Sequence, residues 1–280
     1  MNLILQGLSP HPSVLSRVAA LANAANIIKL NPNAVRCENI SFTSELRAQI
    51  EAEAYAEQLD ATFIEAGRAL GDFKLVAMDM DSTLITIECI DEIADMQGLK
   101  PQVAEITEAA MRGEIEFRES LIRRVALLKG LDAAALQKVY DERLQLSLGA
   151  QKMLYAVQAA GLKTLLVSGG FTYFTDRMKT RLGLDYTHSN VLEIEHGKLT
   201  GKVIGGIVDA EEKQRTVERV CIEMGIEPSQ AIVMGDGAND LKMMHIAGLS
   251  VAFRAKPVVR AQANVALNFV GLDGILNLFH

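Results

Sequence analysis

Tryptophan is absent from this chain of 280 residues, and aromatic residues make up only 5% of it. A base-stacking groove or an aromatic sugar platform is therefore not expected. Basic residues are not in excess: 28 Lys and Arg face 35 Asp and Glu, a net charge of −7. That balance argues against a generic nucleic-acid surface or an anionic-membrane surface. Cysteine is scarce, with Cys37, Cys89 and Cys221 odd in number and far apart. Neither a disulfide framework nor a CxxC zinc pattern follows, and a reducing compartment is expected. No apolar run approaches the ~18 residues of a transmembrane helix. The start, MNLILQGLSPHPS, lacks the basic segment of a signal peptide. A cytoplasmic protein with no membrane partner is the expectation. What is present is an ordinary globular mix, 49% apolar and 22% charged, which excludes disorder and collagen-like repeats. The length suggests about two domains.

No internal repeat is visible, but the texture changes along the chain. Residues 1–72 open with the apolar run Leu3–Leu5, followed by a helical pattern at Val14, Leu15, Val18 and Leu21. After the Asn-Pro-Asn break at 31–33, Glu45–Leu70 reads as one helix rich in Ala and Glu. A small amino-terminal β-α-β domain with a linking helix is expected. Leu75–Met78 is a continuous apolar run of strand length ending in Asp79. Continuous runs suit strands buried on both faces of a parallel sheet. Residues 86–148 are predicted to form four short helices, with apolar spacings of three and four broken by Gly or Pro. Such a bundle interrupts the strand pattern and reads as an inserted lid. From 150 onward strands and helices alternate, and VLEIEHGKLTGKVIGG reads as a hairpin with a His-Gly turn. Alternation predicts an α/β fold with a doubly wound parallel sheet.

Three apolar runs end in short polar or Gly-rich loops that lead into helices. They are LVAMD-MDST with Asp79 and Asp81, LLVSGGF with Ser168, Gly169 and Gly170, and IVMGDGAND with Asp236, Asn239 and Asp240. In an open α/β sheet, ligands bind beyond the carboxyl ends of the strands, so neighbouring strands would bring these loops into one crevice. Four carboxylates together are costly unless a cation neutralises them, and hard oxygen ligands suit Mg²⁺. Ser168 offers a hydroxyl, and Gly169 and Gly170 offer N–H groups at a helix start, an anion cradle. Lys213 can add a positive charge. These are parts for binding and splitting a phosphate ester. Asp79, directly ending its strand, is the better nucleophile. Asp81, two residues on, can act as general acid and then general base.

The combined motifs DMDST, SGG, a downstream Lys and GDGAND resemble those of the haloacid-dehalogenase-like phosphatases. ECIDEIA, AMRGEIEFRESLIRRVALLKG, SGGFTYF and GDGANDLKM further resemble the branch of that family that hydrolyses phosphoserine, over most of the chain from Leu75 onward. The resemblance implies a Rossmann-like core (73–85 and 149–280), a helical cap (86–148) and a small amino-terminal α/β domain (1–72). It implies hydrolysis of O-phosphoserine to serine and phosphate, a step of serine biosynthesis, with Asp79 as aspartyl-phosphate nucleophile and Asp81 as acid/base. Mg²⁺ would be held by the Asp79 carboxylate, the Asp81 main-chain carbonyl and Asp236, with Asp240 in support. Ser168, Gly169, Lys213 and Asn239 would hold the phosphoryl group. In the cap, Glu88 would face the substrate ammonium and Arg124 its carboxylate. The cap-to-core return, LSLGA, departs from the family pattern, which has Pro before Gly149.

Each residue also has a plainer reading. An Asp after a strand often caps a helix, and Ser168 and Gly169 alone would be turn residues. Lys213, within AEEKQR, reads alone as part of a solvated helix face, and Glu88 and Arg124 as surface charges. Arg123 and Arg124 point about a quarter-turn apart, so only one faces a site; the resemblance selects Arg124. The methionines read as core and the cysteines as buried thiols. The alternatives to phosphoserine hydrolysis are a related phosphatase or phosphotransferase for another small substrate, such as phosphothreonine or a sugar phosphate, and an inactive amino-acid-binding protein. A homodimer is compatible with the sequence, which leaves the oligomeric state open.

Overall fold

In β1 (Asn2–Gly7), Leu3 and Leu5 face one way and Ile4 the other, and both faces are buried. The computed structural model describes residues 1–112 and 114–279; Gly113, one of the breaks expected between cap helices, lies outside the described residues. After β1 come α1 (Pro12–Leu21), β2 (Asn26–Asn31), β3 (Ala34–Glu38), α2 (Ser44–Ala56) and β4 (Leu59–Ile64). They form a four-stranded antiparallel sheet of order β2-β3-β1-β4. Leu3 and Leu5 pack with Leu15 and Val18 of α1 and Ile50 of α2. Ile4 and Ile64 join Phe73 and Leu278 in the main core.

The continuous helix expected over Glu45–Leu70 is not found. It stops at Ala56, the chain turns through Gln58 at φ +56°, and Leu59–Ile64 is a strand. Ala and Glu favour a helix locally, but Thr62, Phe63 and Ile64 favour a strand, and β1 supplies a partner along all six residues. Asp60 is buried and accepts N–H bonds from Asn268, Phe269 and Val270 at 2.7–3.0 Å, fastening this strand to the main body.

The main body runs through β5 (Leu75–Met78), the cap helices α3 (Cys89–Asp95), α4 (Lys100–Met111), α5 (Phe117–Leu127) and α6 (Ala134–Glu142), then α7 (Ala150–Ala159), β6 (Lys163–Phe171), α8 (Thr172–Leu182), β7 (Tyr186–Glu195), β8 (Lys198–Ile204), α9 (Ala210–Met224), β9 (Ala231–Gly235), α10 (Leu241–His245), β10 (Leu249–Phe253), α11 (Pro257–Arg260) and β11 (Val265–Leu267). The seven-stranded sheet has the order β11-β10-β9-β5-β6-β7-β8. All its pairs are parallel except the β7–β8 hairpin. Successive β5 residues alternate between two buried faces: Val76 and Met78 join one core, Leu75 and Ala77 the other. The chain builds outward from β5 through β6 to β8, then returns to β9 on the other side of β5. The strand order therefore reverses at β5 and β9, where ligand crevices of open sheets form.

The expected SGG turn is instead a continuation of β6, with a register shift between Ser168 and Phe171, and α8 starts only at Thr172. At its base the cap is a paired crossing. Thr86 N–H donates to Gln145 O at 3.0 Å, and Ser147 N–H to Leu84 O at 3.0 Å. The return continues through Gly149 at φ +75°, where a Cβ would collide with Asp273, so glycine is required there. The cap also bonds to the β7–β8 hairpin through Gly130 N–H to Leu199 O and Ala133 N–H to Gly197 O, both 2.8 Å. Among the described residues, no helix is long and apolar enough to cross a membrane.

Candidate active site

Strand register brings the three predicted loops together. Met78 lies opposite Leu166 on one side and Met234 on the other. Asp79, Ser168 and Asp236 therefore leave adjacent strands at nearly the same level, under the cap. They line one cavity of about 670 Å³ with Asp81, Glu88, Arg124, Gly169 and Asn239.

Asp79 directly follows β5 and is buried. Its Oδ1 accepts from Met80 N–H at 2.7 Å, and its Oδ2 lies 2.8 Å from Lys213 Nζ. Lys213 is fully buried on the first turn of α9, whose N-terminus is capped by the Asp209 side chain on Glu212 N–H. Its ammonium donates equally to Asp240 Oδ1 at 2.8 Å. Asp240 Oδ2 accepts from the N–H groups of Asp236 and Gly237, both at 3.1 Å. Both Asp240 oxygens are thus engaged in shaping the loop and holding the lysine. Burial opposes the lysine charge, but Asp240 and Asp79 hold its pKa above the ordinary range. The solvated-face reading of Lys213 fails because α9 turns this residue inward.

Asp79, Asp236 and Asp240 present carboxylate oxygens within 4.8 Å of one another. Burial, then the neighbouring Asp240, pushes the Asp79 carboxyl well up, against the opposing pull of Lys213. Burial and Asp240 likewise raise Asp236 to about 7. Three carboxyls against one lysine leave surplus negative charge, and oxygen donors of this kind suit a hard divalent cation. Thr83, fully buried, directs its hydroxyl at Asp236 Oδ1, 3.3 Å away.

Asp81 lies in a tight loop, Met80–Leu84, where Ser82 adopts φ +55°. Such a backbone is strained for a non-glycine residue. Asp81 Oδ1 is buried without a hydrogen-bond partner. Burial, and then Glu88, raises its pKa to about 8, so at neutral pH it carries a proton. A Cβ on Gly170 would approach Asp81 Oδ2, Met80 Cε and Ser168 Oγ to 3.0 Å each, so a side chain there would crowd the acid and the serine hydroxyl. The Gly170 N–H donates to Ser168 Oγ at 2.9 Å. That donor is therefore used internally, contrary to the expected cradle, while the Ser168 hydroxyl proton stays free to point at a ligand. The Gly169 carbonyl accepts from Asn190 Nδ2 at 2.7 Å, and the Phe117 ring of the cap lies 3.1 Å from where a Gly169 Cβ would be.

On the cap side, Glu88 opens to the cavity and accepts from Ser82 Oγ at 2.6 Å. Burial by the surrounding protein raises its carboxyl despite that bond. Arg124 is half-buried, with Nε unpartnered. Burial lowers its pKa, while Asp91, Glu88 and Asp81 oppose that shift. The neighbouring Arg123 instead pairs with Glu119 at the surface. Asp91 and Ser120 also line the cavity and were not singled out in the sequence. Their signal was helical spacing: Asp91 follows Glu88 by three residues, and Ser120 precedes Arg124 by four. Asn190 and Thr83 had no such signal. The cysteines are free and buried.

Comparison with known proteins agrees with this geometry. The family model for haloacid dehalogenase-like hydrolases matches residues 73–248. A phosphoserine phosphatase from Polaromonas sp. is 60% identical over 214 residues, covering 75% of this chain and 91% of the relative. The structure of a haloacid-dehalogenase family hydrolase from Salmonella enterica serovar Typhi superposes with a TM-score of 0.90 at 33% identity, covering 100% of this chain and 99% of the other. A phosphoserine phosphatase solved as a phospho-aspartyl intermediate analogue superposes with a TM-score of 0.70 at 37% identity, covering 74% of this chain and 99% of the other.

Proposed function

The chain belongs to the haloacid dehalogenase-like hydrolases, and from that premise we propose that its cavity hydrolyses O-phosphoserine with Asp79 as nucleophile, Asp81 as acid and base, and Mg²⁺ as the metal. One observation carries the reading: a single cavity has Asp79 at its floor, paired with the buried Lys213 that Asp240 shares, and an acid with an arginine, Glu88 and Arg124, in its cap wall. The floor fits a phosphoryl group, and a wall bearing one charge of each sign fits a zwitterionic amino acid.

In this mechanism Lys213, Ser168 and Asn239 hold the phosphoryl group, with the Gly169 segment shaping the wall. A carboxylate oxygen of Asp79 attacks phosphorus, and the bond to the serine oxygen breaks. Asp81, protonated at neutral pH, gives its proton to that leaving oxygen. Water then attacks the aspartyl-phosphate, Asp81 takes the water's proton, and the bond from Asp79 to phosphorus breaks to release phosphate. The Asp79 carboxylate, the Asp81 main-chain carbonyl and Asp236 would hold Mg²⁺, with Asp240 in support through its grip on Lys213 and the loop. The ion, when bound, supplies positive charge to the phosphoryl oxygens and to the crowded carboxylates. Glu88 receives the substrate ammonium, and Arg124 pairs with its carboxylate in a fork that lysine lacks. The cap (86–148) closes over the core (73–85 and 149–280), and residues 1–72 form a separate small domain.

The test is phosphate release from phosphoserine, phosphothreonine, phosphoethanolamine and a sugar phosphate, each with and without Mg²⁺. Phosphoserine is expected to be turned over fastest, and only with the metal present. A sugar phosphate matching phosphoserine, or full activity after metal removal, would overturn the assignment.

A further inference from the structure

Among the described residues, four buried polar atoms that lack a hydrogen-bond partner belong to residues lining this one cavity: Asp81 Oδ1, Asp91 Oδ1, Ser120 Oγ and Arg124 Nε. Asp81 has its acid/base role and Arg124 its carboxylate. Asp91 lies beside Arg124 and is the largest of the negative charges acting on it. Ser120 has no role in the reaction as described so far. It is 1% exposed, sits on α5 four residues before Arg124, and so shares a helix face with it.

A serine inside a helix ordinarily turns its hydroxyl back onto the carbonyl one turn earlier. Thr107 on the neighbouring α4 does this, donating to Val103 O at 3.0 Å, and Ser16 on α1 donates to Pro12 O at 3.0 Å. Ser120 makes no such bond. A buried hydroxyl held without a partner is unfavourable in the free protein, and a ligand that accepts from it removes that penalty.

The chemistry beside Ser120 selects the ligand group. The phosphoryl subsite lies on the core side, with Lys213 and Ser168. An ammonium needs acceptors, and Glu88 and Asp91 supply them. A carboxylate has about four lone-pair sites and needs several donors. Arg124 donates through its guanidinium, and the free donor one helical turn away is the Ser120 hydroxyl.

We propose that Ser120 is a specificity-determining residue that donates its hydroxyl hydrogen bond to the substrate carboxylate held by Arg124. The inference rests on the phosphoserine reading above and adds a neutral donor to it. The carboxylate is then read by two groups on one helix face, and a substrate lacking it leaves both unpaired.

The experiment compares Ser120→Ala with the wild-type protein on phosphoserine and phosphoethanolamine, the latter having the ammonium but no carboxylate. Alanine is the best helix former, so α5 should be kept. The ratio of kcat/KM for phosphoserine to that for phosphoethanolamine should fall roughly tenfold, the scale of one hydrogen bond to a charged group. The thermal midpoint of the free variant should stay level or rise, because an unsatisfied hydroxyl has been removed. Equal losses on both substrates, an unchanged ratio, or a clear drop in thermal midpoint would overturn the proposal and make Ser120 a packing residue. The reading beneath it is checked separately by the wild-type protein. If that does not prefer phosphoserine to phosphoethanolamine, the phosphoserine assignment fails, and the role of Ser120 fails with it.

Discussion

On the core side of the cavity, Lys213 is shared between Asp79 and Asp240 at 2.8 Å each, and Asp240 gives its second oxygen to two backbone N–H groups. On the cap side, Asp91 Oδ1, Ser120 Oγ and Arg124 Nε are buried with no hydrogen-bond partner among the described residues. The Asp79–Lys213–Asp240 network of the floor is satisfied from within the protein, with Asp81 Oδ1 as the core-side exception, and the cap wall leaves some of its groups to be satisfied by what binds. The floor is held in place before substrate arrives, as electrostatic preorganisation requires. The cap discriminates because a wrong substrate leaves its buried groups unpaired.

The floor breaks most completely at Asp79. Asp79→Asn keeps the side-chain shape but removes the nucleophile, so phosphate release should fall by at least about 10⁴-fold while circular dichroism reports an unchanged fold. Turnover near the wild-type rate in a folded variant would remove the covalent route. Asp81→Asn should cost about 10²–10⁴-fold on phosphoserine and less on an aryl phosphate, whose leaving group needs no proton. Because Asp81 is raised to about 8, its acid form prevails below that pH and is lost as pH rises through it. Phosphoserine cleavage should therefore decline on the alkaline side in a limb that aryl phosphate cleavage lacks. Identical pH profiles for the two substrates would contradict the acid role.

Lys213→Met tests whether the floor is a self-supporting unit. It leaves Asp79 and Asp240 buried and facing each other without their cation, and losing one partner of a buried ion pair costs about 3–5 kcal/mol. Denaturant unfolding should show a loss of that order together with loss of turnover. A variant as stable as the wild type would mean that the floor does not depend on its lysine.

The two regions also differ in how far the sequence revealed them. Apolar runs that end in Asp79, Ser168 and Asp236 marked the floor, because a buried parallel strand has no alternation to hide its end. Lys213 did not announce itself. AEEKQR looks solvated, and only the packing of α9 against the sheet decides which of its charges turns inward. Asp240 was assigned with the metal residues, while its hydrogen bonds to Lys213 and the loop depend on a three-dimensional turn that no spacing encodes. In the cap, Glu88 and Arg124 were legible only through resemblance, since a charge on a short helix is usually exposed. Ser120 and Asp91 follow from them by helical spacing once the inward face is known. The break after Ala56 was hidden because Ala61, Glu65, Ala66 and Ala69 carry the Ala and Glu texture of α2 past β4, and pairing with β1 overrides local preference within that strand.

The division of labour between floor and cap is tested most directly by Arg124→Ala, measured as kcat/KM on phosphoserine and on phosphoethanolamine. A charged hydrogen bond lost from a closed site is worth about 1.5–3 kcal/mol, more if the substrate carboxylate is left buried and unpaired. Phosphoserine hydrolysis should therefore fall by roughly tenfold to several hundredfold. Turnover of phosphoethanolamine, which has no carboxylate to lose, should barely change. A drop by the same factor on both substrates would contradict the account, because Arg124 would then be supporting the cap rather than reading the substrate.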